Sequence, residues 1–105
     1  DAMRLEYRFD YRFNYPPTVN DPGPNDLVRA VARRVVGTEN VVDPHQIVMW
    51  SEDMSFMQEL RPGAYFLIGS RGPHKGSHPQ HSAHFDVDER ALEVGYAMMM
   101  GLALS

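Results

Sequence analysis

Hydrophobic and polar residues alternate strictly near the start of the chain. Apolar or aromatic residues occupy every odd position from Met3 to Tyr15, and charged or polar residues occupy the even positions between them. A period of two is typical of a β-strand with one buried face. At about 3.3 Å per residue this strand is roughly 40 Å long. The pattern predicts a strand whose aromatic face packs under helices or against another subunit, and a ligand platform is the alternative.

Three later segments are predicted to be helices, and in the first of them the apolar positions have the three-to-four-residue spacing that is typical of helices. The first has Asn25 or Asp26 as its predicted N-cap and Gly37 as its end. The last is apolar nearly all round, so we expect it to be buried on every side. The predicted helices cover residues 27–36, 51–60 and about 88–104.

Two short apolar runs, residues 47–50 and 64–69, predict buried strands, the second of them covered on both faces. Residues 16–24 contain four prolines and a glycine, which predicts a linker without regular structure. The resulting order is strand, linker, helix, strand, helix, strand, loop, helix. This order predicts an α/β fold with a sheet flanked by helices.

The loop at residues 70–84 is the most informative stretch for chemistry. Four of the five histidines lie within eleven residues of it, at His74, His78, His81 and His84. Neutral imidazole is a common ligand of catalytic divalent metals, although this spacing is not that of a zinc finger. A solvated connecting loop rich in histidine, glycine, proline and serine is the alternative interpretation. Phe85 follows as an anchor, and acidic residues at the start of the last helix favour its N-terminus, at Asp86, Asp88 and Glu89.

Ser51, Glu52 and Asp53 lie at the junction between a predicted strand and a predicted helix. Ser51 is a good N-cap, and two acids in a first turn stabilise a helix, so capping accounts for all three. The carboxyl end of a strand is also where α/β folds place ligands. The three residues are therefore either caps or part of a pocket lining.

Composition excludes several classes of protein. The chain has 105 residues, a formal net charge of −4 and no cysteine. Its ten basic residues are scattered, so we expect no nucleic-acid partner, and without thiols it forms neither disulfides nor thiolate metal sites. No signal peptide and no apolar run of about 20 residues is present, so we expect no membrane partner and a cytoplasmic location.

Four stretches stand in order along the chain: YPPTVND at 15–21, MWSEDMSFM at 49–57, PGAYFLIG at 62–69 and HSAHFDVDERAL at 81–92. Together they resemble the C-terminal part of M20-type metallopeptidases, in the amidohydrolase branch that includes hippurate hydrolases and N-acyl amino acid hydrolases. YPPTVND at 15–21 is similar to the family's YPP..ND segment, and MWSEDMSFM at 49–57 to its MGAEDFS segment. PGAYFLIG at 62–69 resembles its PG strand, and HSAHFDVDERAL at 81–92 its HSP.FD.DE..L ending. Ala83 in place of the proline and His84 in place of a basic residue are departures within the last motif.

The resemblance implies a division of the chain into two parts. Residues 1–20 would end a lid and dimerisation domain of α+β type, and residues 21–105 would form the C-terminal segment of a zinc-peptidase-like catalytic domain. His81 would be the last metal ligand of a centre with two divalent ions, such as zinc, manganese, cobalt or nickel. A further set of residues would border the substrate pocket: Asn20, Ser51, Glu52, Asp53 and Gly69.

The implied activity is hydrolysis of the amide bond of N-acyl amino acids or small peptide-like substrates. The family's remaining metal ligands and its catalytic glutamates would lie outside this chain, so no catalytic residue is predicted within it. We expect the chain alone to be inactive and to hold no metal tightly, since a zinc-like ion needs three or four ligands. Its partner would be a second copy or the rest of the parent enzyme. The alternative is a stand-alone binding module without catalysis that self-associates through the aromatic strand.

Overall fold

The computed structural model describes residues 6–105, and its regular elements are helices. They are α1 at Pro22–Val36, a short 3-10 helix at Thr38–Asn40, α2 at Met54–Leu60 and α3 at Arg90–Ala103. Within residues 6–105, none of these helices has the length and apolar character needed to cross a membrane. All three predicted helices are confirmed, but two of them begin at other residues than predicted.

Helix α1 begins at Pro22, several residues before its predicted start. The prediction that the prolines exclude regular structure is wrong for residues 22–24. The backbone N–H groups in the first turn of a helix have no acceptor within the helix, so Pro22 and Pro24 fit there without losing a hydrogen bond. The predicted end is confirmed: Gly37 has φ of 85°, and its N–H donates to the carbonyl of Arg33 at 3.1 Å.

Helix α2 begins at Met54, so the predicted start at Ser51 is wrong. Asp53 occupies the N-cap position but its side chain makes no capping hydrogen bond. The carbonyl of Glu52 instead accepts two hydrogen bonds from Ser55, from the hydroxyl at 2.7 Å and from the N–H at 3.1 Å. Ser55 is almost completely buried, and this pairing satisfies its hydroxyl.

The core lies between α1 and α3. Val31 of α1 and Met98 of α3 are 1% and 3% exposed, and Gly101 of α3 packs against Val31. The prediction that α3 is buried on every side is wrong for residues 6–105, because its opposite face is exposed. That face carries Leu92, Tyr96 and Met99 at helical spacing, each more than 60% exposed.

The predicted strands do not form a sheet within residues 6–105, where no strand is found. A ladder needs neighbouring strands that exchange backbone hydrogen bonds, and an isolated strand has no partner for them. Residues 65–70 nevertheless alternate between exposed and half-buried side chains, as strand residues do. Ile68 lies on the covered side against Gly95 of α3, whereas Leu67 is exposed, so only one of the two predicted faces is covered.

The solvent-exposed area of the chain is also larger than that expected of a folded monomer. The chain exposes 9434 Å². A folded monomer of 12.0 kDa is expected to expose about 6,000 Å². Its radius of gyration is 18.8 Å, whereas a compact domain of about 100 residues has about 13 Å. Much of the apolar surface that the sequence pattern predicted to be buried is therefore uncovered.

We expect Gly101→Ala and Gly95→Ala to change the stability of the chain in opposite directions. A methyl group on Gly101 would lie 2.7 Å from Val31 Cγ1, closer than carbon atoms pack. Overpacking costs about 1–3 kcal/mol, which exceeds the gain of about 1 kcal/mol from replacing a helical glycine. A methyl group on Gly95 would meet Ile68 Cδ1 at an ordinary 3.5 Å, so the helical gain remains. Urea unfolding followed by circular dichroism measures both, and stabilisation by Gly101→Ala would contradict the α1–α3 packing.

Candidate functional site

Three segments distant in sequence meet beside α2: residues 15–21, 51–58 and 63–65, here called the three-segment cluster. Asn20 is central to it. Its Oδ1 accepts a hydrogen bond from the N–H of Tyr65 at 2.7 Å, and its Nδ2 donates to the carbonyl of Tyr65 at 2.8 Å. The side-chain amide thus pairs with both backbone groups of one residue, as a neighbouring strand would.

Asp21 continues this pairing. Its N–H donates to the carbonyl of Gly63 at 3.0 Å, and its Oδ2 accepts from the N–H of Gly63 at 2.8 Å. Gln58 of α2 donates to the same carbonyl at 3.2 Å, while its Oε1 is buried with no hydrogen-bond partner among residues 6–105. A Cβ atom added at Gly63 would lie 3.0 Å from Met54 Cε, so a side chain there would crowd Met54. Four hydrogen bonds, one between backbone groups and three between a side chain and the backbone, therefore join the segment after Tyr15 to the segment before Phe66.

The acidic residues before α2 face two tyrosines. The Tyr15 hydroxyl donates to Asp53 Oδ1 at 2.8 Å, and this hydrogen bond raises the pKa of Tyr15. The Tyr15 ring lies 5.1 Å from the ring of Phe56. Partial burial, followed by a hydrogen bond to Glu52, raises the pKa of Tyr65. Both acids are thereby placed at one edge of the cluster, where their charge is opposed by phenol hydroxyls.

Among the residues predicted to border the substrate pocket, the structure brings together Asn20, Glu52 and Asp53. Ser51 is exposed beside them, and Gly69 lies at the far end of residues 64–69 with open space where a side chain would begin. Sequence reasoning did not single out Tyr15, Asp21 or Gln58 individually. Tyr15 and Asp21 belong to the segment that carries the resemblance, and this was the available signal. No sequence signal pointed to Gln58, because its hydrogen bond forms only where the carbonyl of Gly63 approaches it in the fold.

The histidine loop contains a tight turn at residues 79–85. The N–H of Ser82 donates to the carbonyl of Pro79 at 3.2 Å, and the N–H of Phe85 donates to the carbonyl of Ser82 at 3.0 Å. His81 lies at the apex with φ of 67°, the only positive value at a non-glycine residue in the described part of the chain. A left-handed backbone is uncommon outside glycine and clusters at functional sites. The turn presents His81 to solvent.

Two other histidines, His78 and His84, lie close together at this turn. The rings of His78 and His84 have their centres 5.5 Å apart and are tilted by 46°. Across residues 6–105, no three side chains of metal-binding type lie close enough to share an ion. Within the described residues, His81 therefore has no neighbouring side chains with which to complete a metal site of three or four ligands.

The loop is fixed to the start of α3 by backbone and charged contacts. The N–H of Asp88 donates to the carbonyl of Ser70 at 2.9 Å, and Lys75 Nζ donates to Glu89 Oε1 at 2.6 Å. Arg90 donates to both carboxylate oxygens of Asp88, at 2.9 and 2.7 Å, and lowers the pKa of Asp88 to about 2. The loop is thus held at this helix by Asp88 and Glu89, with Lys75 as a partner, whereas Phe85, the predicted anchor, is 47% exposed.

The chain belongs to peptidase family M20/M25/M40, whose family model matches residues 5–105. It is 36% identical over 90 residues to IAA-amino acid hydrolase ILR1-like 6 of Arabidopsis thaliana, covering 85% of this chain and 19% of that protein. It is 37% identical over 82 residues to thermostable carboxypeptidase 1 of Saccharolobus solfataricus, covering 77% and 20%. With IAA-amino acid hydrolase ILR1-like 4 of Arabidopsis thaliana it shares 35% over 92 residues, covering 85% and 20%.

These relatives are much longer than the chain, which spans about a fifth of their length. No solved structure matches the chain. The family resemblance predicted from the four motifs is confirmed. The relatives are named as hydrolases and a carboxypeptidase, which agrees with the predicted class of enzyme.

Proposed function

We propose that this chain is part of a metal-dependent amidohydrolase that cleaves the amide bond of N-acyl amino acids or small peptide-like substrates. The family match and the names of its relatives support an enzyme of the hydrolase class. The chain contributes one metal ligand and a framework around it, while the other ligands and the catalytic acids belong to the rest of the enzyme. Residues 21–105 form part of the catalytic domain, and residues 1–20 end the lid domain.

The observation that carries this proposal is the conformation of His81. Its backbone is left-handed, and within residues 6–105 its imidazole has no hydrogen-bond partner. A ring nitrogen is thus available to a metal, and the surrounding turn fixes where the ring begins. When bound, the pair of divalent ions supplies Lewis acidity that polarises the amide carbonyl and acidifies water.

The three-segment cluster supports the proposed substrate pocket through its position and charge. Glu52 and Asp53 are held at its edge, Ser51 is exposed beside them, and Asn20 fixes the chain at the domain junction. Residues 64–69 would join the parent sheet, which places Gly69 at the carboxyl end of a strand where α/β folds bind ligands. Asn20 acts here through the backbone of Tyr65, so we assign it to pocket shape.

Removal of metal tests the proposed reaction. We expect dialysis of the full-length protein against a chelator to abolish hydrolysis of N-acyl amino acids, and zinc, manganese, cobalt or nickel to restore it. Plasma mass spectrometry should find about two ions per active chain, as a two-metal site requires. Full activity in a protein stripped of metal would refute the proposal, whatever the substrate.

We further propose that the aromatic residues near the start of the chain form an interface with a second copy. The four aromatic side chains at alternate positions are between 65% and 92% exposed: Tyr7, Phe9, Tyr11 and Phe13. The rings of Phe9, Tyr11 and Phe13 follow one another closely, with ring centres 6.0 Å apart for the first pair and 4.9 Å apart for the second. A continuous aromatic surface of this kind is typical of an interaction site.

A further inference from the structure

The histidine loop contains a pair of imidazoles that the proposed reaction does not use. His78 directly precedes the turn at residues 79–85, and His84 is the second-last residue of that turn, which has His81 at its apex. Both side chains are exposed, and no hydrogen bond to either ring is found within residues 6–105. Their nitrogen atoms are therefore free to accept a ligand from solvent.

The separation of the two rings fits a shared metal ion. Two imidazoles bound to one tetrahedral zinc ion, with Zn–N bonds of about 2.0 Å, hold their ring centres about 5 Å apart. The observed separation is 5.5 Å and the rings are tilted by 46°. A rotation of the exposed side chains within the existing turn would bring one nitrogen of each ring onto the same ion.

The backbone of the turn keeps the pair together without help from the metal. The hydrogen bonds from Ser82 to Pro79 and from Phe85 to Ser82 close the chain between the two histidines. The N–H of His84 also donates to the hydroxyl of Ser82 at 3.1 Å. Because the turn is already formed, little chain entropy opposes joint binding by the two rings.

We propose that His78 and His84 form a binding site for a divalent transition metal such as Zn²⁺ or Ni²⁺, separate from the ion that His81 serves. Water completes the coordination, since no third side chain of metal-binding type is near enough within the described residues. Two protein ligands make a weak and rapidly exchanging site. The site is independent of the proposed amidase activity, because it needs only this loop.

The test is equilibrium dialysis of the 105-residue chain against Ni²⁺ alone near neutral pH, with bound metal measured by plasma mass spectrometry. We expect His78→Ala and His84→Ala each to weaken binding by about tenfold or more, because each removes one of two linked ligands. The double variant should be no weaker than either single variant. The matched control His45→Ala, an exposed histidine outside the loop, should change binding by less than about twofold.

Three results would overturn the proposal. They are equal losses in all three single variants, unchanged binding in His78→Ala or His84→Ala, and the absence of binding by the unmodified chain. The helical circular dichroism of every variant serves as the folding control, because all of these histidines lie outside α1, α2 and α3. Loss of activity in a full-length enzyme plays no part in the readout, so failure of this site and failure of the amidohydrolase proposal are distinguishable.

Discussion

His81→Ala in the full-length protein is expected to lower kcat/KM for amide hydrolysis by more than about 100-fold, because loss of even an outer partner of a metal ligand costs about 10- to 100-fold. The imidazole would be one corner of a two-metal centre, and without it one ion loses a direct bond. Metal content should fall from two ions per chain towards one. Steady-state kinetics with an N-acyl amino acid and plasma mass spectrometry on the same sample measure both effects.

Two matched variants separate the imidazole from its surroundings. His74→Ala removes another exposed histidine of the same loop, and we expect it to leave activity and metal content nearly unchanged. His81→Gly removes the imidazole but favours the left-handed backbone at φ of 67°, whereas alanine is strained there. If the ring is the ligand, both His81 variants lose activity equally. Activity retained in His81→Gly, or lost equally in His74→Ala, would refute the ligand assignment.

The 105-residue chain is expected to sediment as a dimer or a larger species, and a double change in the aromatic row should make it a monomer. Phe9→Asp with Phe13→Asp places two charges on a surface whose aromatic rings are 78% and 92% exposed. Four such rings present on the order of several hundred Å² of aromatic surface, more than a monomer ordinarily leaves uncovered. Sedimentation velocity over a range of protein concentrations gives the result directly.

The exposed face of α3 provides the control for this prediction. Leu92→Asp with Tyr96→Asp introduces the same charges on side chains that are 69% and 70% exposed. Association that persists in this variant and disappears in the aromatic variant assigns the interface to the row at Tyr7, Phe9, Tyr11 and Phe13. The reverse result would move the interface to α3, and a monomeric unmodified chain would exclude both.

Helices were predictable from the sequence because their hydrogen bonds are local. The spacing of apolar residues located α1, capping residues located α2, and a mostly apolar stretch located α3. Gly37 marked the end of α1, since few other residues adopt its φ of 85°. The starts were less predictable. Pro22 is expected to break a helix unless its position in the first turn is known. Ser51 is a residue type that caps helices well, but the N-cap of α2 is Asp53.

Strands depend on partners that a local pattern cannot supply. The alternation in residues 6–15 correctly predicted that the aromatic side chains lie on the same side of the segment, since the rings of Phe9, Tyr11 and Phe13 are neighbours in succession. The segment is not a strand, because within residues 6–105 no neighbouring strand exchanges backbone hydrogen bonds with it. The segment at residues 64–69 shows the same limit, with one face on α3 and the other uncovered.

The candidate site divides in a similar way. The motif resemblance selected residues 15–21, 49–57 and 62–69, and the structure brings parts of all three segments into contact through Asn20, Asp21 and Asp53. Which atoms meet was not predictable, because these contacts join residues about 40 positions apart. His81 was selected by the resemblance, whereas its left-handed backbone is visible only in the structure and remains a reason to test the residue first.

The packing of Val31 on Gly101 has a consequence for synthesis on the ribosome. The two residues are separated by about 70 positions, so α1 leaves the exit tunnel long before the helix that covers it. At roughly 5–20 residues per second, α1 waits on the order of 4–14 s with its apolar stripe exposed. Nascent chains stalled before α3 should therefore recruit chaperones and be cut by proteases within α1, and chains that extend past Gly101 should be protected there.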